Sequence, residues 1–180
     1  MTTLALNSRR VSTTNEMNDT RDYPSRDTSL VGAAGVHTVV AELSLRGLIA
    51  LPTIRNTAGV DVIVSNKAGT WHANLQVKTS RSRVSFWPVG TKYAEWVSPK
   101  NYYVFLRFYQ KIGQFEIFME SSERVAENCA TGVKREKEKG LKKWAPCFYP
   151  RDRLEQLKSQ WDTFGKDTAN QPVQPALAVG

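Results

Sequence analysis

The stretch from Val60 to Ser80, VDVIVSNKAGTWHANLQVKTS, leaves the fewest choices to the chain around it. Strand side chains alternate between faces, so Val60, Val62 and Val64 share one side and Asp61 and Ile63 the other. Asp61 thus interrupts an otherwise apolar run. The turn Ser65-Asn66-Lys67-Ala68-Gly69-Thr70 supplies the Asn and Gly that suit a hairpin. In the strand after it, Trp71, Ala73, Leu75, Val77 and Thr79 fall on one face, and His72, Asn74, Gln76, Lys78 and Ser80 make the other wholly polar. Antiparallel pairing brings Asp61 near Gln76 and Lys78.

An acid on one strand, facing an amide and a lysine two residues apart on its neighbour, suits a hard cation held beside a phosphate. Asp61 binds such a cation, Gln76 offers a carbonyl oxygen, and Lys78 reaches the scissile phosphate or the attacking water. The same residues also suit a solvated strand face with one capped Asp, and the pattern alone does not choose. Asp61 and Gln76-Val77-Lys78 resemble the PD-(D/E)XK nuclease superfamily, whose motif is an acid, a spacer, then Glu-x-Lys or its Gln-x-Lys variant. The segment GAAGVHTVVAELSLRGLIALPTIRNTAGVDVIVSN extends the likeness. A helix stopped at Arg46-Gly47 precedes a strand over Leu48 to Thr53, a loop through Arg55-Asn56, and then Asp61.

The resemblance spans Leu30 to Met119 and implies an α/β domain, with a mixed central sheet flanked by helices in the restriction endonuclease-like manner. It implies Mg²⁺-dependent hydrolysis of DNA phosphodiester bonds, with Mn²⁺ as a substitute cation and 5′-phosphate products. Asp61 is then the principal metal ligand, joined by the Gln76 side chain and the Val77 main-chain carbonyl, while Lys78 orients or activates the water. Such families often carry a metal-binding Glu on the first helix, and here that place holds Val36. The nearest acid, Glu42, either helps at Asp61 or pairs with Arg46 four residues on. A neutral Gln76 removes a negative charge and predicts weaker cation binding than a Glu would give. A nuclease fold kept as a non-catalytic DNA-binding or protein-interaction module is therefore the alternative.

Phosphate contact finds support in the charge. Lys78 to Lys111 carries seven Lys and Arg against Glu95, so this segment holds +6 of the chain's +8. Arg81 and Arg83, directly after the catalytic strand, are the favoured phosphate contacts, with Lys92 and Trp87 as further nucleic-acid-binding residues. The aromatics Phe86, Trp87, Tyr93 and Trp96 either stack on bases and sugars or cover the edge of the core. DNA is the expected partner. Monomer and homodimer both stay open.

At 180 residues the chain suits one domain, over 30–164, between disordered tails at 1–29 and 165–180. The opening MTTLALNSRR lacks a signal-peptide core and no later run is expected to approach a membrane span, which predicts a soluble cytoplasmic protein. Cys129 and Cys147 have no CxxC spacing and read as buried reduced thiols. A helix is expected from Leu30 to Arg46, capped by Thr28 or Ser29 and stopped by Gly47, with Val36, Val39, Val40 and Leu43 on its buried stripe. Strands follow at Tyr102 to Tyr109 and Gln114 to Met119, and a helix starts at Ser121-Ser122-Glu123. Gly132 to Lys143 reads as a solvated connector, Trp144, Phe148 and Tyr149 return to the core, and Arg151 to Phe164 reads as an amphipathic helix with Leu154, Leu157 and Trp161 on one face.

Overall fold

The computed structural model of the protein describes residues 27–54, 59–81, 84–109, 112–140 and 145–164. Both expected tails, apart from residues 27–29, lie outside them, as do Trp144 and the loop at Arg55-Asn56. The chain is built on a mixed sheet of β1 (Ile49–Pro52), β2 (Val62–Ser65), β3 (His72–Ser80), β5 (Asn101–Tyr109) and β6 (Gln114–Ser121), in the spatial order β1-β2-β3-β5-β6. The first three strands form an antiparallel meander, β3 and β5 are parallel, and β5 and β6 are antiparallel. This is the α/β architecture expected, with helix α1 (Thr28–Leu45) on one face and helix α2 (Ser122–Glu138) on the other.

Alternation along the strands assigns the two cores. Under α1, Val39 and Leu43 pack with Val62, Val64, Ala73, Leu75, Val104 and Leu106. On the α2 side, Val125 and Cys129 pack with Tyr103, Phe105 and Phe118, together with Trp87 from β4 (Trp87–Pro88) and Phe148 from β7 (Cys147–Phe148). Burial of β5 between both layers explains its dense apolar run, since neither face meets water. The cysteines are buried free thiols, and burial, followed by the neighbouring Cys147, pushes the Cys129 thiol up to about 12.

Helix α1 begins earlier than its pattern suggested. Asp27, not Thr28 or Ser29, is the N-cap, its carboxylate accepting from the Ser29 amide at 2.7 Å. Gly47 ends the helix at φ 80°, a conformation that glycine adopts without strain. Gly35 lets α1 approach β3 closely, for a methyl there would overlap Thr79 Oγ1 and stand 3.0 Å from Thr79 Cβ. By length and composition, 18 residues of mean hydropathy 1.3, α1 is also long and apolar enough to cross a membrane, contrary to the expectation that no run approaches a span. Its Gly35, Val39 and Leu43 are buried against the sheet.

Two further expectations are corrected. The connector from Gly132 is helical as far as Glu138, so α2 runs on through good helix formers, with Arg135 and Lys137 in its last turn opposing the helix dipole. The single C-terminal helix is instead three short 3-10 turns, Arg151–Arg153, Glu155–Leu157 and Trp161–Phe164. A continuous helix could not do what this segment does. Leu157 packs in the α2-side core while Trp161 and Phe164 pack under α1, so the chain has to pass around the edge of the sheet. It crosses at Lys158, which bridges to Phe118, and at Ser159, whose amide donates to the Ile117 carbonyl at 2.9 Å with φ 51°. The otherwise open edge of β6 is thereby covered.

Candidate active site at the end of the β2–β3 pair

Asp61 stands where β2 leaves the sheet. Val62 pairs with Leu75, yet the Asp61 amide also donates to the Leu75 carbonyl, at 2.8 Å. Two successive residues thus face one partner, the signature of a β-bulge, which bends the strand and re-aims a side chain. The neighbouring chain fixes this geometry. The Thr53 amide donates to the Asp61 carbonyl at 3.0 Å, and Thr53 Oγ1 donates to the Val60 carbonyl at 2.5 Å.

Simple alternation placed Asp61 with Ile63, away from α1, and the bulge changes that. The Asp61 carboxylate accepts the Val77 amide at 2.7 Å and lines a cavity of about 680 Å³ together with Val36 and His37 of α1, Thr53 and Val77. The side chain takes the place of a ladder acceptor for β3 just where β2 stops supplying one. Within one strand residue N–H and C=O point the same way, so the Val77 carbonyl is directed to the Asp61 side of β3.

Gln76 and Lys78 are on the opposite face of β3 from Val77, aligned with Tyr103 and Phe105 of β5, and both are half-buried. Burial holds the Lys78 ammonium below its ordinary value, opposed in part by the Asp61 charge. Lys78 is therefore within electrostatic reach of Asp61. Gly59, at φ 73°, rests against the Trp96 indole, where an added methyl would stand 2.9 Å from the ring. Trp96 in turn packs edge-on to Tyr103, with ring centroids 4.9 Å apart. His37 and Trp96 are the neighbours of this site that alternation and motif spacing do not single out, because each reaches it only through tertiary packing.

The other sequence candidates are dispersed. Glu42 forms an ion pair with Arg46 and lines a different cavity with Tyr109, Glu116 and Trp161, so it does not join Asp61. Trp87 is 1% exposed, stacks near Phe105 at 5.2 Å and donates Nε1 to the Leu106 carbonyl at 3.2 Å. It is a core residue and offers no face to a base, correcting its assignment to nucleic acid. Arg107, one of the seven cations of the basic segment, is buried between the Trp87 and Phe118 rings and paired with Glu116 at 3.1 Å. Arg81 is half-buried after β3, Lys92 is exposed on a 3-10 turn (Thr91–Ala94), and Arg83 lies outside the described residues.

The donor set defines what cation the site would suit. Among the described residues no three His, Cys, Asp or Glu side chains converge. The structure brings Asp61 and the Val77 main-chain carbonyl to one side of β3 and leaves the expected Gln76 ligand on the other, so a hard cation there would keep most of its shell as water and substrate phosphate, as Mg²⁺ does.

No family model matches the chain, and no curated protein matches it. Among solved structures it is similar to a bacterial homing endonuclease, I-Ssp6803I, at 10% identity and a TM-score of 0.48, over 78% of this chain and 93% of that one.

Proposed function

We propose that the protein is a divalent-cation-dependent endonuclease that hydrolyses DNA phosphodiester bonds at the Asp61 end of the β2–β3 pair. The observation that carries this reading is the placement of Asp61. A bulge sets its carboxylate beside Val77, within electrostatic reach of a lysine that burial has made easier to deprotonate.

Asp61 and the Val77 main-chain carbonyl would hold Mg²⁺ or Mn²⁺, without the Gln76 side chain, which lies on the other face of β3. When bound, such an ion supplies charge neutralisation at the phosphate and a more acidic water. The chain's own share is positional. Asp61 is held by the Val77 amide and by the Thr53 clamp on its backbone, so little reorganisation is needed to bind a cation. Lys78 orients the attacking water and donates hydrogen bonds to a phosphate oxygen. Its half-buried position strengthens those interactions relative to a solvated lysine.

A second reading is a DNA-binding module without catalysis. Val36, lining the cavity where a carboxylate would add a ligand, and neutral Gln76 favour it. Incubating purified protein with plasmid in Mg²⁺, Mn²⁺ or chelator separates the two. Nicking or linearisation that chelator stops supports the nuclease, and DNA binding without cleavage under any metal supports the module.

A further inference from the structure

Away from Asp61, on the solvent side of α2, a cavity of about 910 Å³ runs between the helix and the segment from Tyr149 to Arg153. Val125 and Cys129 turn into the core, which leaves Arg124, Asn128, Thr131 and Arg135 on the stripe that lines this groove. Arg151 and Arg153 face them from the other wall, and Lys139 closes the far end. The lining holds five cationic side chains against the three carboxylates of Glu123, Glu127 and Glu136.

Pairing within the groove leaves Arg124, Arg135 and Arg151 against Glu123 and Glu127. Lys139 holds Glu136 at 3.3 Å, and Arg153 is directed to Glu120 at 3.4 Å. Among the described residues Arg124, Arg135 and Arg151 make no close ion pair, and Arg124 is within electrostatic reach of Glu120. The walls are also held in place. Asn128 donates Nδ2 to the Tyr149 carbonyl at 2.9 Å and accepts the Tyr149 amide at 2.8 Å, a two-point clamp that docks the second wall on α2. Arg151 sits at φ 48°, a left-handed conformation that a side-chain-bearing residue adopts at a cost. The clamp and this conformation set Arg151 across one open groove from Arg124 and Arg135.

Resting on the reading of the protein as one that handles DNA, we propose that this groove is a second nucleic-acid contact surface, which takes the sugar-phosphate backbone of a DNA duplex. Arg124 and Arg135 are eleven residues apart, about 16 Å along the helix, a length over which one B-form strand carries about five phosphates. Guanidinium forks suit phosphate oxygens, and Arg124 and Arg135, both exposed on α2, are placed to reach separate phosphates.

The test is the salt dependence of binding to a fluorescent DNA duplex by the full chain. Replacing Arg124→Ala and Arg135→Ala together is expected to flatten the slope of log affinity against log salt by about 1.8 units, at about 0.9 per lost phosphate contact. Both side chains are exposed, and the charge-keeping pair Arg124→Lys and Arg135→Lys is expected to retain the slope, which separates charge from folding. A wild-type slope in the double alanine variant overturns the proposal. If Arg81→Ala lowers the slope in the same assay while the groove variant does not, the DNA-handling reading stands and the groove proposal falls. Failure of the wild type to bind duplex at any salt overturns both. Binding of a fluorescent polyglutamate peptide that the alanine pair abolishes, with the DNA slope unchanged, assigns the groove to an acidic polypeptide and overturns the nucleic-acid assignment.

Discussion

The Asp61 carboxylate accepts a hydrogen bond from the Val77 amide at 2.7 Å, so one side chain completes the sheet where β2 departs and presents a carboxylate to the candidate site. The two roles separate by substitution. Asp61→Asn keeps an acceptor for the Val77 amide and removes the charge, whereas Asp61→Ala removes both. Calorimetry should find Mn²⁺ binding lost in both variants. Urea denaturation should find Asp61→Ala about 1–2 kcal/mol less stable than Asp61→Asn, since it strands the Val77 donor. Mn²⁺ binding by Asp61→Ala equal to the wild type would reject the site.

Lys78 separates catalysis from affinity. Lys78→Ala is expected to abolish plasmid cleavage and leave most duplex binding, because one phosphate contact among several is a small share of affinity. Lys78→Arg should not restore cleavage. A planar guanidinium does not fit the half-buried place of a compact ammonium. Cleavage by Lys78→Ala at the wild-type rate would move the active site elsewhere.

The approach of α1 to β3 depends on Gly35. Gly35→Ala drives a methyl into Thr79 Oγ1, and overpacking of this kind costs about 1–3 kcal/mol. Adding Thr79→Ala to it should recover part of that loss by removing the hydroxyl. The comparison is of urea midpoints at fixed protein concentration, and a Gly35→Ala midpoint equal to the wild type would contradict the packing.

Glu120 gives the pH dependence a definite sign. Burial raises its carboxyl above the usual value, with the Ser121 amide and Arg153 opposing the shift. A group raised on folding contributes stability that is present at low pH and lost as pH rises through the folded value. Glu120→Gln, neutral throughout, should therefore be more stable than the wild type at pH 7 by thermal melting, with the advantage fading below the unfolded carboxyl value of 4.5. An equal gain at all pH values would assign the effect to packing.

The sequence alone determined the strand–turn–strand unit, because its alternation and its turn from Asn66 to Gly69 are local. Residues 72–80 form β3 with Ala73 and Leu75 buried, and the hairpin brings Asp61 to the Gln76–Lys78 end. The same is true of the strands Asn101–Tyr109 and Gln114–Ser121 and of the start of α2 at Ser121-Ser122-Glu123. Tertiary structure decided the rest. A β-bulge depends on which residues the partner strand offers, so alternation put Asp61 on the wrong face. Trp87 carried suitable chemistry, but the second core layer buried it, and of the two roles open to Glu42 the structure takes the local pair with Arg46. Leu154, Leu157 and Trp161 have helical spacing, yet the uncovered edge of β6 required a chain that passes from one core to the other. Local periodicity fixes how a segment can fold, whereas which surface it must cover is set by elements distant in the chain.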